Sequence, residues 1–154
     1  MQKSESVAGS NEIKFSNYFK KKFGKDVLEG KCTFETLDKN VSISVDNSLK
    51  LGNKEILIEI DSGNMAKLIV GQYVLLNELY KNRDKEILFL IIHFYKNQKG
   101  KEYNPIRTER NLSLVSESIY GNEAIKYKVF NQSSFKELCQ QCKSIEDFVN
   151  YLYL

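Results

Sequence analysis

A chain of 154 residues with 42% hydrophobic and 28% charged side chains is long and apolar enough to bury one core, so a single domain spanning residues 1–154 is expected. A net charge of +3 is too small to turn the whole surface into a polyanion-binding face, so any basic function has to be local. No stretch approaches the ~18 consecutive apolar residues of a membrane-spanning helix, and Met1-Gln2-Lys3-Ser4-Glu5-Ser6 lacks the apolar run of a signal peptide.

Ile13, Phe15, Phe19 and Phe23 recur at helical spacing between lysines, which predicts an amphipathic helix over Glu12–Phe23 that ends at Gly24. Strands are expected at Cys32–Leu37, Val41–Val45 and Ile56–Ile60, the last two joined through the turn-rich stretch Asn47–Lys54. Ser62-Gly63-Asn64 turns the chain into a helix over Met65–Tyr80, with Ala66, Ile69, Tyr73, Leu76 and Asn77 on or near one stripe. The apolar run Ile87–Tyr95 reads as a buried strand, so the intervening helix makes a βαβ crossover. A loop over Lys96–Arg110, a strand over Ile125–Phe130 and two final helices follow. Ser134-Phe135-Lys136-Glu137 has a capping-box pattern, and Ser144 opens the last helix. The resulting class is α/β, a mixed sheet flanked by helices.

The three cysteines, Cys32, Cys139 and Cys142, are an odd count that does not suit a secreted disulfide framework. The expected compartment is the cytoplasm, with no membrane partner. Cys139-Gln140-Gln141-Cys142 is a CxxC, but it falls late in a helical pattern, so reduced core or surface cysteines are expected over a zinc or redox site. The single histidine, His93, ends an apolar strand, where a hydrogen-bond partner is a simpler expectation than a role as general base.

The chemistry concentrates in Ile56-Leu57-Ile58-Glu59-Ile60-Asp61. Side chains two apart on a strand share a face, so Glu59 and Asp61 are expected side by side. Asp46 stands thirteen residues before Glu59, at the end of the preceding strand. If the strands are neighbours, three carboxylates converge. Like charges this close repel, and a divalent cation with a preference for oxygen ligands relieves that repulsion.

Asp46, a short connection, Glu59 on an apolar strand and a following helix with Gln72 near its middle resemble the PD-(D/E)xK nuclease superfamily, the fold of many type II restriction endonucleases. The resemblance covers Val41–Tyr95. It implies a restriction-endonuclease-like mixed sheet and a metal-dependent DNA endonuclease that hydrolyses phosphodiester bonds. Asp46 matches the first acid of the motif and Glu59 the second; Asp61 stands where the family has lysine. The resemblance thus implies Asp46, Glu59 and Asp61 as ligands of Mg²⁺, with Mn²⁺ as a substitute. Lys67 and Gln72 join them as catalytic candidates, Lys67 as a replacement for the missing lysine. Some relatives also place an acid of the first helix beside the metal, and Glu12 is the candidate here. Cleavage of both strands at one site implies a homodimer.

Two basic groups are candidates for binding DNA phosphates: Lys20, Lys21 and Lys22 in the first helix, and Lys96, Lys99, Lys101, Arg107 and Arg110 in the later loop. Asp61 in the lysine position leaves a second reading open, a non-cleaving nucleic-acid- or protein-binding module with the same fold. An unrelated α/β protein with coincidental acids is the third.

Overall fold

A computed structural model of the chain describes residues 9–63, 65–80 and 84–154. The N-terminal Met1–Ser6 segment and Asn64 of the expected turn lie outside them. The architecture is mixed α/β, with a central mixed sheet of four strands flanked by helices.

The chain enters through α1 (Ser10–Phe23) and forms a two-stranded antiparallel sheet from β1 (Cys32–Glu35) and β2 (Ser42–Val45). It then crosses through Asp46 into the main sheet. There β3 (Asn47–Leu51) pairs antiparallel with β4 (Lys54–Asp61), and β5 (Glu86–His93) and β6 (Lys126–Asn131) add in parallel, giving the order β3-β4-β5-β6. Helices α2 (Ala66–Leu79) and α3 (Ile106–Val115) follow β4 and β5. The chain closes with α4 (Gln132–Gln141) and α5 (Ile145–Leu152).

The strand alternation divides the core into two layers. Ile56, Ile58 and Ile60 of β4 and Leu88, Leu90 and Ile92 of β5 pack with Phe15, Phe19, Phe135 and Phe148 of the flanking helices. The intervening residues, Leu57, Phe89 and Ile91, meet Ile69, Tyr73, Leu76 and Leu112 on the opposite face. Glu59 and Asp61 keep the parity of Leu57, so both belong to the α2 face.

Several boundaries differ from those read in the sequence. Asn47–Leu51 is a strand rather than part of a wide turn: Leu49 is buried on the Phe15 and Phe19 face and outweighs the polar residues around it. Arg107 and Arg110 stand on α3, which starts inside the expected loop behind Pro105 and the Asn104 side chain, whose Oδ1 accepts from Ile106 N–H. The capping box of α4 is formed by Asn131 with Ser134, one turn earlier than Ser134 with Glu137. Ser144 caps α5 as expected, accepting from Asp147 N–H. Cys32, Cys139 and Cys142 are all free thiols; burial pushes the Cys139 thiol up to about 12, which makes it unreactive.

Candidate functional site

Asp46 sits where the chain leaves one sheet for the other, between β2 and β3. Its Oδ2 accepts from Ile60 N–H at 2.8 Å, and its own N–H donates to Glu59 Oε2 at 3.3 Å. Asn47 pairs with Ile58 in the ladder, so Asp46 falls opposite Glu59. Register thus brings the two acids together as expected, but through β3 rather than through a pairing of Val41–Val45 with Ile56–Ile60, since β2 belongs to the other sheet.

Glu12 approaches from the first turn of α1 and shares a side-chain hydrogen bond with Asp46. Gln72, buried on α2, donates from Nε2 to Ser44 carbonyl O at 2.9 Å and also hydrogen-bonds Glu59. The glutamine therefore ties α2 to β2 and fixes one acid, the holding role open to it from its place in the helix.

Burial is the main reason both acids resist ionisation. The Asp46 carboxyl is raised from 3.8 to about 6, with the nearby Glu12 adding to the rise, while the Ile60 N–H and the Lys31 charge oppose it. Glu59 is raised from 4.5 to about 8, by burial first and the Asp46 charge next; its bonds to Gln72 and Asp46 N–H oppose the rise. The cluster thus holds more protons near neutrality than free carboxyls would.

Asp61 has a different set of partners. Its Oδ2 lies 2.6 Å from His93 Nδ1, its register neighbour on β5, and its Oδ1 accepts from Gly63 N–H. His93 is fully buried, with Nε2 3.0 Å from the Thr108 hydroxyl of α3 and its ring 4.2 Å from that of Tyr103. A carboxylate on Nδ1 makes that nitrogen the donor. The Asp61–His93–Thr108 chain joins β4, β5 and α3. His93 has the hydrogen-bond partners expected for a strand-end histidine.

A cavity of about 580 Å³ is lined by Glu12, Asp46, Glu59, Asp61 and Gln72, with Lys67 exposed on its wall. Lys67 thus shares the cavity but carries no hydrogen bond or ion pair to the acids. The cation whose charge acts on Asp46 is Lys31, exposed just before β1. Sequence reasoning missed Lys31, because its nearness to Asp46 follows from the β1–β2 pairing, Cys32 opposite Val45, rather than from a motif. Among the described residues, no group of three His, Cys, Asp or Glu side chains is already gathered into a metal-ligating set. Glu12, Asp46, Glu59 and Asp61 line one cavity, with Asp61 bonded to His93 and Asp46 acted on by Glu12.

The basic residues divide by position. Lys20, Lys21 and Lys22 lie in the last turn of α1, at the opposite end of the helix from Glu12. Lys96, Lys99 and Lys101 belong to the connection after β5, a turn organised by Asn97 Oδ1, which accepts from Lys99 N–H and Lys101 N–H. Because β4 and β5 are parallel and Asp61 pairs with His93, this connection leaves from the end of the sheet that carries Glu59. Arg107 stands in the first turn of α3, and Arg110 one turn on faces a separate cavity against β6.

No helix among the described residues is long and apolar enough to cross a membrane. No protein-family model, curated protein or solved structure matches the chain.

Proposed function

We propose that this protein is a metal-dependent DNA endonuclease with a restriction-endonuclease-like fold. The observation that carries the reading is the convergence of Asp46 and Glu59, from adjoining strands, as half-buried acids with raised pKa values in one cavity. Buried carboxyls that repel are matched by a divalent cation, which supplies the charge that burial removes. An all-oxygen donor set suits Mg²⁺, which is commonly held by one or two carboxylates while keeping several waters. Asp46 and Glu59 fit that role, with Glu12 as the third oxygen donor within reach.

A bound cation of this kind lowers the pKa of a coordinated water and stabilises charge on a phosphoryl oxygen. The chain's own residues then have separate tasks. Asp46 and Glu59 hold their carboxylates at one point through the two cross-strand bonds, and Gln72 orients Glu59. Lys31 and Lys67 are the cations placed to offset phosphate charge. The connection over Lys96–Lys101, with Arg107, supplies phosphate contacts at the same end of the sheet. Cleavage of both strands calls for two sites, and so for a homodimer.

The non-cleaving reading draws on one observation: Asp61 occupies the lysine position of the motif and is bonded to His93 rather than to the acid pair. Incubating plasmid DNA with Mg²⁺, Mn²⁺ or EDTA, beside Asp46→Asn and Glu59→Gln, separates the readings. Metal-dependent nicks or fragments lost in both variants support the endonuclease. Salt-sensitive DNA binding with no cleavage under either metal supports the binding module.

A further inference from the structure

The two edges of the main sheet end differently. At β3 the chain covers its own edge: Glu29 N–H donates to Ser48 carbonyl O, Gly30 N–H to Asn47 Oδ1, and the Ser48 hydroxyl to Gly30 carbonyl O. At β6 the strand partner is β5, and among the described residues no group bonds the backbone of Lys126–Phe130 from the other side.

That open edge lies in a groove between α3 and α5. One cavity of about 510 Å³ runs over Tyr127–Phe130 and a second of about 430 Å³ over Ala124–Lys128, so the two overlap at Tyr127 and Lys128. Strand parity sorts the side chains. Phe130 packs against the layer of Phe15 and Phe135, while Tyr127 and Val129 belong to the α2 layer. Lys126 and Lys128 therefore share the face of Phe130, two residues apart. Arg110 of α3 adds a third cation to the lining, against one acid, Glu109. Among the described residues, none of these three cations has an ion pair.

A row of free backbone donors and acceptors is matched by another extended chain, which offers both. A phosphate only accepts, so a nucleic-acid backbone leaves the edge carbonyls facing like charge. A second copy of this chain fits poorly, because a two-fold pairing centred on Tyr127 or Lys128 sets lysine opposite lysine. Charge selects the remaining features of the partner. Acids on alternate residues of an added strand meet Lys126 and Lys128, and the residues between them lie beside Tyr127 and Val129.

We propose that the outer edge of β6 binds an extended protein segment, added to the sheet as a further strand. Its side chains are acidic on alternate residues, with β-branched or aromatic ones between them. This groove shares no lining residue with the acid cavity, so binding here and cleavage at Asp46 and Glu59 are separate measurements.

The test titrates the full chain against three short labelled peptides by fluorescence anisotropy. One alternates glutamate and valine, one is the same peptide N-methylated along its backbone, and one has lysine in place of glutamate. Wild type is expected to bind the glutamate peptide, and the other two at least about tenfold more weakly. Lys126→Glu/Lys128→Glu should bind the glutamate peptide about tenfold more weakly, the scale of two cross-strand charge pairs turned repulsive. The same variant should bind the lysine peptide more tightly than wild type does, a gain that misfolding cannot produce. Lys14→Glu/Lys143→Glu, exposed lysines outside the groove, makes the same change in net charge and should keep the wild-type affinities. An N-methylated peptide bound as tightly as its parent, an equal loss in both double variants, or no binding of the glutamate peptide overturns the proposal. A chain that sediments as a dimer and takes no peptide gives the edge to a second copy. One that takes no peptide and binds single-stranded DNA through Lys126 and Lys128 gives it to nucleic acid. Either result overturns the proposal.

Discussion

Asp46 and Glu59 clasp each other across the β3–β4 junction: Asp46 N–H donates to Glu59 Oε2, and Ile60 N–H, next along β4, donates to Asp46 Oδ2. Each acid thus accepts a backbone donor on the other's strand. The clasp sits where the chain changes sheets, so the fold cannot close there without bringing the two carboxyls together.

That arrangement sets the pH dependence of stability. Folded Asp46 titrates at about 6 against 3.8, and Glu59 at about 8 against 4.5, chiefly because both are buried. Acids raised in the folded state bind protons there that the unfolded chain has released, so their contribution is full below the unfolded values and is lost as pH rises through the folded ones. Melting temperature in EDTA should fall between about pH 4 and pH 8. Glu59→Gln should flatten the upper part of the fall and be more stable than wild type at the alkaline end, by on the order of 2 kcal/mol. A wild-type curve that rises over this window would contradict the assignment.

The Asp61–His93–Thr108 chain should matter for stability first. It is buried and its hydrogen bonds link three elements, so Asp61→Ala strands a buried imidazole and should cost about 2–4 kcal/mol in urea unfolding. Thr108→Val removes a weaker partner and should cost about 1 kcal/mol. An Asp61→Ala protein as stable as wild type would show that the chain does not hold these elements together.

Much of this was legible in the sequence. The alternation of Val41–Val45 and the apolar runs around Glu59 and His93 fix which faces are buried, because a strand has a period of two and offers no other solution. The meeting of Asp46 with Glu59 comes by another route than the expected pairing of Val41–Val45 with Ile56–Ile60: Val41–Val45 pairs with β1 in the other sheet, and it is β3, read as a turn, that sets Asp46 opposite Glu59. The destination of Asp61 is not legible in the sequence, since it depends on His93 arriving beside it through a parallel pairing formed after a whole crossover helix. Glu12, named only through the family resemblance, and Lys31 are likewise set by tertiary packing, one by α1 against β4 and the other by the β1–β2 pairing. Asn47–Leu51 reads as a turn because Asn47, Ser48 and Lys50 lower its apolar content, yet Leu49, with Leu51 packed against the same core, supplies the buried contact of an edge strand, and Ser48 is buried beside it.

Lys31 should reveal itself in the pH profile of cleavage. Its positive charge lowers the Asp46 pKa, so Lys31→Met removes a stabiliser of the ionised carboxylate. The acidic limb of the rate profile should move to higher pH, while Lys67→Met should reduce the rate with a smaller displacement of that limb. Identical limbs in wild type and Lys31→Met would exclude Lys31 from the site.

The acid pair as a divalent-cation site is tested most directly by calorimetric titration of Mn²⁺ at pH 7 in two buffers of different ionisation enthalpy, for wild type and Glu59→Gln. At that pH Glu59 is mostly protonated and Asp46 mostly ionised, so filling the site should release about one proton per chain. Wild type should therefore show a buffer-dependent binding heat with a stoichiometry near one or two ions per chain, and Glu59→Gln should lose most of the affinity together with the proton release. Heats indistinguishable from dilution, or equal affinity in the variant, would contradict a metal site at Asp46 and Glu59.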